Sequence, residues 1–595
     1  MFPRKRIRGR RHPAVAAIAM GAAAAMVLSA CGSNGEDEGP GAGFEDCDEF
    51  PAECNSGPRQ EGGEITWAMD ASWGGYTEIH ADGRSVYQQQ AITPMYPRIG
   101  EFDPDGDFVL NDGVFAAEPE LVAEDPLEVA YELNPEATWG DGTSISYDDF
   151  LYNWYAWSGD EEKCNEDCAP SSASWGPNVE DITEEDDGRI HVTYVDGYQN
   201  PEWMYQVVLS HPAHIAEEEG FDWQNDPDEM GESMLHFLTT APTWSAGPYI
   251  LDSFEDQDYL TYVPNPEWTG SEQPTLDSIT LQVIEDVEAI LTELRQGTVH
   301  GAATARYEPD IVDQLDTIED VRYNIAPGPS FEFLMLNTQN PQLQDIELRR
   351  AILTAFDVPD INERTHGLVL DDVPAKMNYL FDEDSEYYTD VIGPTGFGTG
   401  DTEAARDILE DAGYTWDDSD NLLDSDGEQV TMEHRVMQGP SFLQTVGEMM
   451  QHYMDGLGID VTLNSFPNSD LVSVHAAGEF DSSSLGWSSP PTFATQPSQL
   501  WRTGSGSNFG QMSVDEVDDL IDEIERTNDL DEAADYANRA MELVAEDAYM
   551  LPLNESPSLV VVSEDLINIR ENWASSQRSM YNIAEWGLWD EEADE

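Results

Sequence analysis

Eleven histidines, five cysteines and 121 carboxylates are the side chains of this chain that could carry chemistry. The close histidine pair is His211-x-x-His214, and Pro212 between the two fits a turn at a helix start better than a metal site, which would need further converging ligands. Carboxylate pairs occur throughout, so no pair stands out as general acid and base. The segment Glu101 to Asp112 has the length of a calcium loop, but Pro104 and the short Asp112 at its last position argue for a hairpin turn. A second such pattern, through Asp424, Asp426 and Gly427, has Leu422 where its first acid belongs. The run Gly396, Gly398, Gly400 lacks the third glycine of a dinucleotide loop, and no Gly-x-Ser-x-Gly, His-Glu-x-x-His or Gly-Lys phosphate loop occurs. The expectation is a protein without catalytic residues, metal or cofactor.

The elements that position side chains are easier to read. Between Ala137 and Trp157 the turn Trp139-Gly140-Asp141-Gly142 precedes a helix with Ser146 as its N-cap. Asp149 faces the first turn, and Phe150, Leu151, Trp154 and Tyr155 share one face at helical spacing. Upstream, Val129, Tyr131 and Leu133 alternate as in a strand.

Strand, Trp-x-Asp-Gly-Thr turn and acid-capped aromatic helix, in this order, resemble the signature of extracytoplasmic solute-binding proteins of the oligopeptide, dipeptide and nickel type. The resemblance continues through Gly247-Pro248-Tyr249, Asn265-Pro266-Glu267-Trp268, the helix Val287 to Gly297, Asn337 with Asp345, Arg349 or Arg350, Ala351 and Asp357, the helix Asp401 to Ala412, and Gly486-Trp487. It implies an α/β, two-lobed periplasmic-binding-protein-like fold of type II with an extra subdomain, mixed sheets flanked by helices and a hinge between the lobes. The implied organisation is a lipoprotein signal peptide over 1–30, an acidic flexible tether over 31–63, and lobe I from 64–113. The extra subdomain follows over 114–243, lobe I resumes over 244–326, lobe II spans 327–549, and 550–595 return to lobe I. Hinge strands are expected at about Pro327 and around Glu546 to Pro552.

By family position the solute-contacting residues are Trp487, Phe466, Phe331, Ser330, Tyr76 and Trp73. Where peptide-binding relatives carry an acid for the ligand's amino group, this chain has Ser488-Ser489-Pro490-Pro491, so that contact is not carried over. The implied partners are a small solute, an oligopeptide in the first instance, and the subunits of an ABC permease. A monomer is expected. The alternatives are a non-peptide solute, or a lipoprotein of this fold that regulates the cell envelope through protein contacts.

The N-terminus supports export. An Arg-rich start, an apolar run from Ala14 to Ala30 and Leu28-Ser29-Ala30-Cys31 look like a lipoprotein signal, with Cys31 as the lipidated residue and lipid anchor. The apolar run is shorter than the roughly 20 residues of a membrane span. The four remaining cysteines fall in two close pairs, which in an oxidising compartment suggests Cys47 with Cys54 and Cys164 with Cys168. Zinc is the rival, and the spacings suit it poorly.

At 595 residues the chain exceeds one core, and its 16 tryptophans belong to a folded protein. Six of the 25 basic residues precede Cys31, which leaves 19 against 121 acids downstream. Such a field repels nucleic acid and anionic headgroups, so neither is a partner. Only three lysines occur, Lys5, Lys163 and Lys376. An acidic, lysine-poor surface of this kind is expected of a protein that stays hydrated in high salt.

Overall fold

Two strands far longer than the usual five or six residues organise the molecule: Val321–Leu336 and Met550–Ser563. They run antiparallel at the centre of a ten-stranded mixed sheet. In the computed structural model, which describes residues 43–590 except 84, 173–174, 207, 305–308, 371–372, 384, 439–440, 468–469, 479 and 489–490, this pair links the two lobes. The first half of the pair, Val321 to Pro327 against Ser563 to Pro557, lies beside Gly301–Thr304. Beyond it come Glu64–Met69, Ser278–Val283, Tyr259–Pro264 and Tyr249–Glu255. The second half, Phe331 to Met335 against Glu555 to Met550, lies beside Ser482–Ser488. Thr431–Met437 and Asp460–Phe466 complete that side.

The register slips between Pro327 and Phe331 and again between Glu332 and Phe333. The cause is local. Pro327 and Pro329 have no N–H to give the ladder. Gly328 lies so close to its neighbour that a Cβ there would stand 2.7 Å from the Ser556 carbonyl oxygen. The sequence suggests a break here followed by a new strand at Phe331, whereas one strand runs through the interruption because the partner strand spans it. The second crossing strand also begins later than expected, since Leu530–Glu546 is a helix and pairing starts at Met550.

Two large cores flank this joint. One is drawn from Phe331 to Leu553, and the other joins Ile65 to Leu281 with Val560 to Trp586. A smaller core under the helix Val287–Gln296 seals the other face of the first lobe's sheet. The extra subdomain is a four-stranded antiparallel sheet of Glu120–Glu124, Leu127–Tyr131, Ile190–Tyr194 and Val179–Glu184. The helix Tyr147–Trp157 lies against it and carries a capping box between Ser146 and Asp149. Asp149 also accepts the Trp139 indole N–H at 3.2 Å and the Ala213 amide at 2.8 Å. Burial pushes its carboxyl up to about 6. Around Pro201 to Leu209 the described residues form a short 3-10 turn, Trp203–Tyr205, although their sequence suggests helix.

The expected tether is corrected from Gly43 onward. Cys47 and Cys54 form a disulfide, and Asn55 beside them is buried. The Asn55 side chain donates to the Ile569 carbonyl at 2.8 Å, and the Arg570 guanidinium donates to the Cys54 carbonyl at 2.6 Å. Polar contacts hold this segment to the body, which is why it has no apolar periodicity to read. Cys164 and Cys168 are also joined, around the turn Glu166–Cys168. The expected signal peptide and Cys31 lie outside the described residues.

Candidate functional site

Cross-strand pairing at the joint brings three of the expected residues together. Ser330 pairs with Ser488 and Phe331 with Trp487. Ser330 and Trp487 are half-buried, while Phe331 is fully buried against Phe333, ring centroids 5.6 Å apart. Trp487 meets Phe509 edge-on at 6.2 Å. Phe331, Phe333, Met335, Leu500, Phe509, Tyr549 and Met550 close with Trp487 around a cavity of only about 10 Å³. That is at the lower limit for a single water. Trp487 and Ser330 therefore keep surface at the joint, and Phe331 is the buried cross-strand neighbour of Trp487.

The other three expected residues lie elsewhere. Phe466 ends its strand two places from Trp487's in the sheet, buried against the His475 ring at 5.5 Å. Trp73 and Tyr76 belong to the first lobe's core, their rings 6.3 Å apart. Tyr76 donates its hydroxyl to Asp256 at 3.0 Å, and burial pushes that phenol up to about 12. Tyr76, Trp73 and Phe466 are thus buried in the cores of their lobes and are not brought to Trp487.

Next to Phe331 the structure gathers charged groups. Lys376 is buried with its ammonium 5.9 Å from the Phe331 ring centroid. It donates to Asp382 at 2.7 Å and to Glu555 at 3.0 Å. Burial alone would lower the Lys376 ammonium, but the two carboxylates hold it above its usual value. Glu555 sits opposite Phe331 in the crossing pair. Its neighbour in sequence, Asn554, faces Glu332, whose carboxylate is buried 3.5 Å from His366 and raised by that burial. Lys376 carried a signal in the sequence only as one of three lysines, and its burial is seen in the fold alone. Glu555 and Asp382 carried none among 121 acids.

A second set of contacts ties the extra subdomain to the other lobe. Phe493 and Ala494 both donate their amide N–H to the Glu202 carboxylate, the latter at 3.0 Å. Asn200 donates its amide to the Asn528 side chain at 3.1 Å. Glu202 is 4 % exposed, and burial pushes its carboxyl up to about 7 against the pull of the two amides. Phe493 in turn packs edge-on against Phe381 at 4.9 Å. The lobes are thus joined at the crossing strands and touch again at Glu202. The histidine pair is not a metal site: His211 is buried at 3.1 Å from the Tyr96 hydroxyl and lowered to about 3, while His214 turns to Asp141 at 2.9 Å.

The model of the family described as bacterial extracellular solute-binding proteins, family 5 middle, matches residues 114–509. The oligopeptide-binding protein OppA of Mycobacterium tuberculosis is 26% identical over 520 residues, 86% of this chain and 82% of that protein. Among solved structures, a periplasmic EDTA-binding protein, EppA, is similar with a TM-score of 0.81 and 27% identity, over 91% of this chain and 99% of its own. The oligopeptide-binding protein AppA of Bacillus subtilis, solved with a nonapeptide, shares the fold with a TM-score of 0.67 at 16% identity, over 90% of this chain and all of its own.

Proposed function

This chain belongs to the bacterial extracellular solute-binding proteins of family 5, and from that membership we propose that it is the capture component of an ABC importer. It holds a small solute, an oligopeptide in the first instance, between its lobes and hands it to the membrane permease. It binds its solute and does not transform it. The observation that carries this reading is the joint itself: two crossing strands whose register slips between lobes with separate cores. A pair of strands with a proline-broken ladder is where a few backbone angles can absorb a lobe rotation. Strand edges there offer backbone groups to an extended ligand, and Trp487 offers an aromatic wall. Similarity to the mycobacterial oligopeptide-binding protein over most of both chains supports the peptide. A non-peptide solute is the second reading, supported by the similarity to the EDTA-binding protein.

In the same reading Cys31 is lipidated and holds a monomeric protein at the outer face of the cell membrane. Ser330 and Trp487 border the solute, with Phe331 buried beside them, while Phe466, Trp73 and Tyr76 support the lobes from their cores. Tryptophan fluorescence titrated with a casein peptide digest tests the site. Trp487→Ala is expected to weaken binding about tenfold, the scale of one lost aromatic contact. Unchanged affinity in that variant would remove Trp487 from the site.

A further inference from the structure

A cavity of about 580 Å³ opens at the end of the second lobe's sheet remote from the joint. The strand Val321–Leu336 runs into it at Asn337, whose backbone N–H donates to the Asp481 carbonyl at 2.9 Å. Leu336 pairs with Ser482 just beyond Asp481, whereas Ser330, at the joint, pairs with Ser488. At about 3.3 Å per residue, the stretch from Phe331 to Asn337 sets the cavity about 20 Å from the cross-strand pair of Phe331 and Trp487. Its floor is buried, with Asn337 2 % and Phe480 3 % exposed. Gln339, Pro341, Ala477 and Gln511 form an exposed rim. The volume lies within the roughly 300–1,000 Å³ of small-molecule sites.

The polar lining is held in place by its own hydrogen bonds. The Asn337 side chain donates to the Gly478 carbonyl at 3.1 Å and to the Phe480 carbonyl at 2.9 Å. The Gln511 carbonyl accepts the Thr338 hydroxyl at 2.8 Å and the Gln339 side chain at 3.3 Å. Glu433 and Arg435 stand two places apart on one strand, so they share a face, and they pair at 2.7 Å while both stay partly exposed. Asp481 accepts the Glu433 backbone N–H at 2.6 Å and the Asn340 side chain on its other oxygen. Burial raises the Asp481 carboxyl against the pull of that backbone N–H.

This lining selects by charge first. An anion meets two carboxylates against one guanidinium and is repelled. A bare cation finds no carboxylate waiting, because Glu433 has Arg435 beside it and both oxygens of Asp481 already accept hydrogen bonds. What the walls offer is donors and acceptors side by side, from planar amides, carboxylates and a guanidinium. The hydroxyl is the group that both donates and accepts. We propose that this cavity binds a neutral polyhydroxyl compound, a sugar or polyol, at a second site separate from the space between the lobes. Glu433 accepts from one hydroxyl while Arg435 donates to its neighbour, and charge-assisted bonds of this kind are the stronger polar contacts. Gln339 and Gln511 serve hydroxyls at the mouth, where Pro341 and Ala477 cover the C–H edge. The site goes beyond the capture of a solute at the joint and does not depend on it.

The test titrates the full chain with maltose, with dextran and with glucose 1-phosphate, followed by saturation-transfer-difference NMR. Saturable binding of maltose and none of glucose 1-phosphate is expected, and dextran binding as well would extend the site from free sugars to the ends of polysaccharides. Glu433→Gln is expected to weaken maltose about tenfold. Ala477→Trp, which fills the mouth from the rim and removes no hydrogen bond, is expected to abolish it. Thermal melts and peptide capture by native mass spectrometry confirm that both variants are folded, and both are expected to keep capturing peptides. Absence of saturable maltose binding, or equal maltose affinity in folded variants and wild type, overturns the site. Displacement of maltose by a casein peptide digest also overturns it, since the sugar then sits between the lobes, and leaves the capture function standing.

Discussion

Glu202 is the residue through which the extra subdomain most visibly holds the other lobe. Its carboxylate holds two amides of the opposite lobe and is pushed up to about 7 by burial. When the lobes part it regains water and its ordinary value near 4.3. The closed form therefore binds the proton more tightly than the open form. Protonation favours closure in full below about pH 4.5, and that contribution is lost as pH rises through about 7. A shift of this size is worth about 4 kcal/mol at most. Solute release measured by stopped-flow fluorescence is expected to quicken from pH 5 to pH 8, and Glu202→Gln, which can still accept both amides, is expected to flatten that slope. An unaltered slope in the variant would assign the pH dependence elsewhere. Nothing in the sequence marked this residue. It is one acid among 121, and its partners are backbone amides nearly 300 residues away. Asp149 was legible for the opposite reason, since the Ser146 cap and its returning acid are three residues apart.

Among the elements, the crossing strands carry the account. The join of Pro327, Gly328 and Pro329 to the partner strand has no room for a side chain at its centre, because a Cβ on Gly328 would meet the Ser556 carbonyl oxygen at 2.7 Å. Gly328→Ala must push the strands apart, and urea unfolding is expected to show a loss of about 1–3 kcal/mol. A variant as stable as the parent would mean that the strands do not approach so closely in solution. Alternating apolar residues made the second half of this strand readable from Phe331. The first half was not readable as part of the same strand, because prolines and a glycine look like an ending until the partner strand is known. The same holds at the N-terminus. Acidic, Gly-rich sequence from Gly43 reads as tether, yet a disulfide and the side chains of Asn55 and Arg570 fix it to the body. Helices with local caps, such as Thr402–Ala412 between Asp401 and Gly413, were legible from their own residues.

For the molecule as a whole, the excess of 121 acids over 25 bases predicts a melting temperature that rises with NaCl, as salt screens repulsion between exposed carboxylates. A melting temperature independent of salt would detach the composition from any saline habitat. The two-lobed architecture was visible in the order of motifs, because each motif marks a turn or strand that recurs in the family. What remained hidden was where the lobes touch, since Glu202 and Phe493 are nearly 300 residues apart in sequence and meet only in the fold. On the proposed function, the lobes close on a solute about the crossing strands. Small-angle X-ray scattering of the purified chain, before and after bound solute is stripped by unfolding and dialysis and then restored as a peptide digest, tests it most directly. The radius of gyration is expected to grow when the protein is emptied and to shrink again when peptides return. A scattering profile identical in all three states would contradict the clamp.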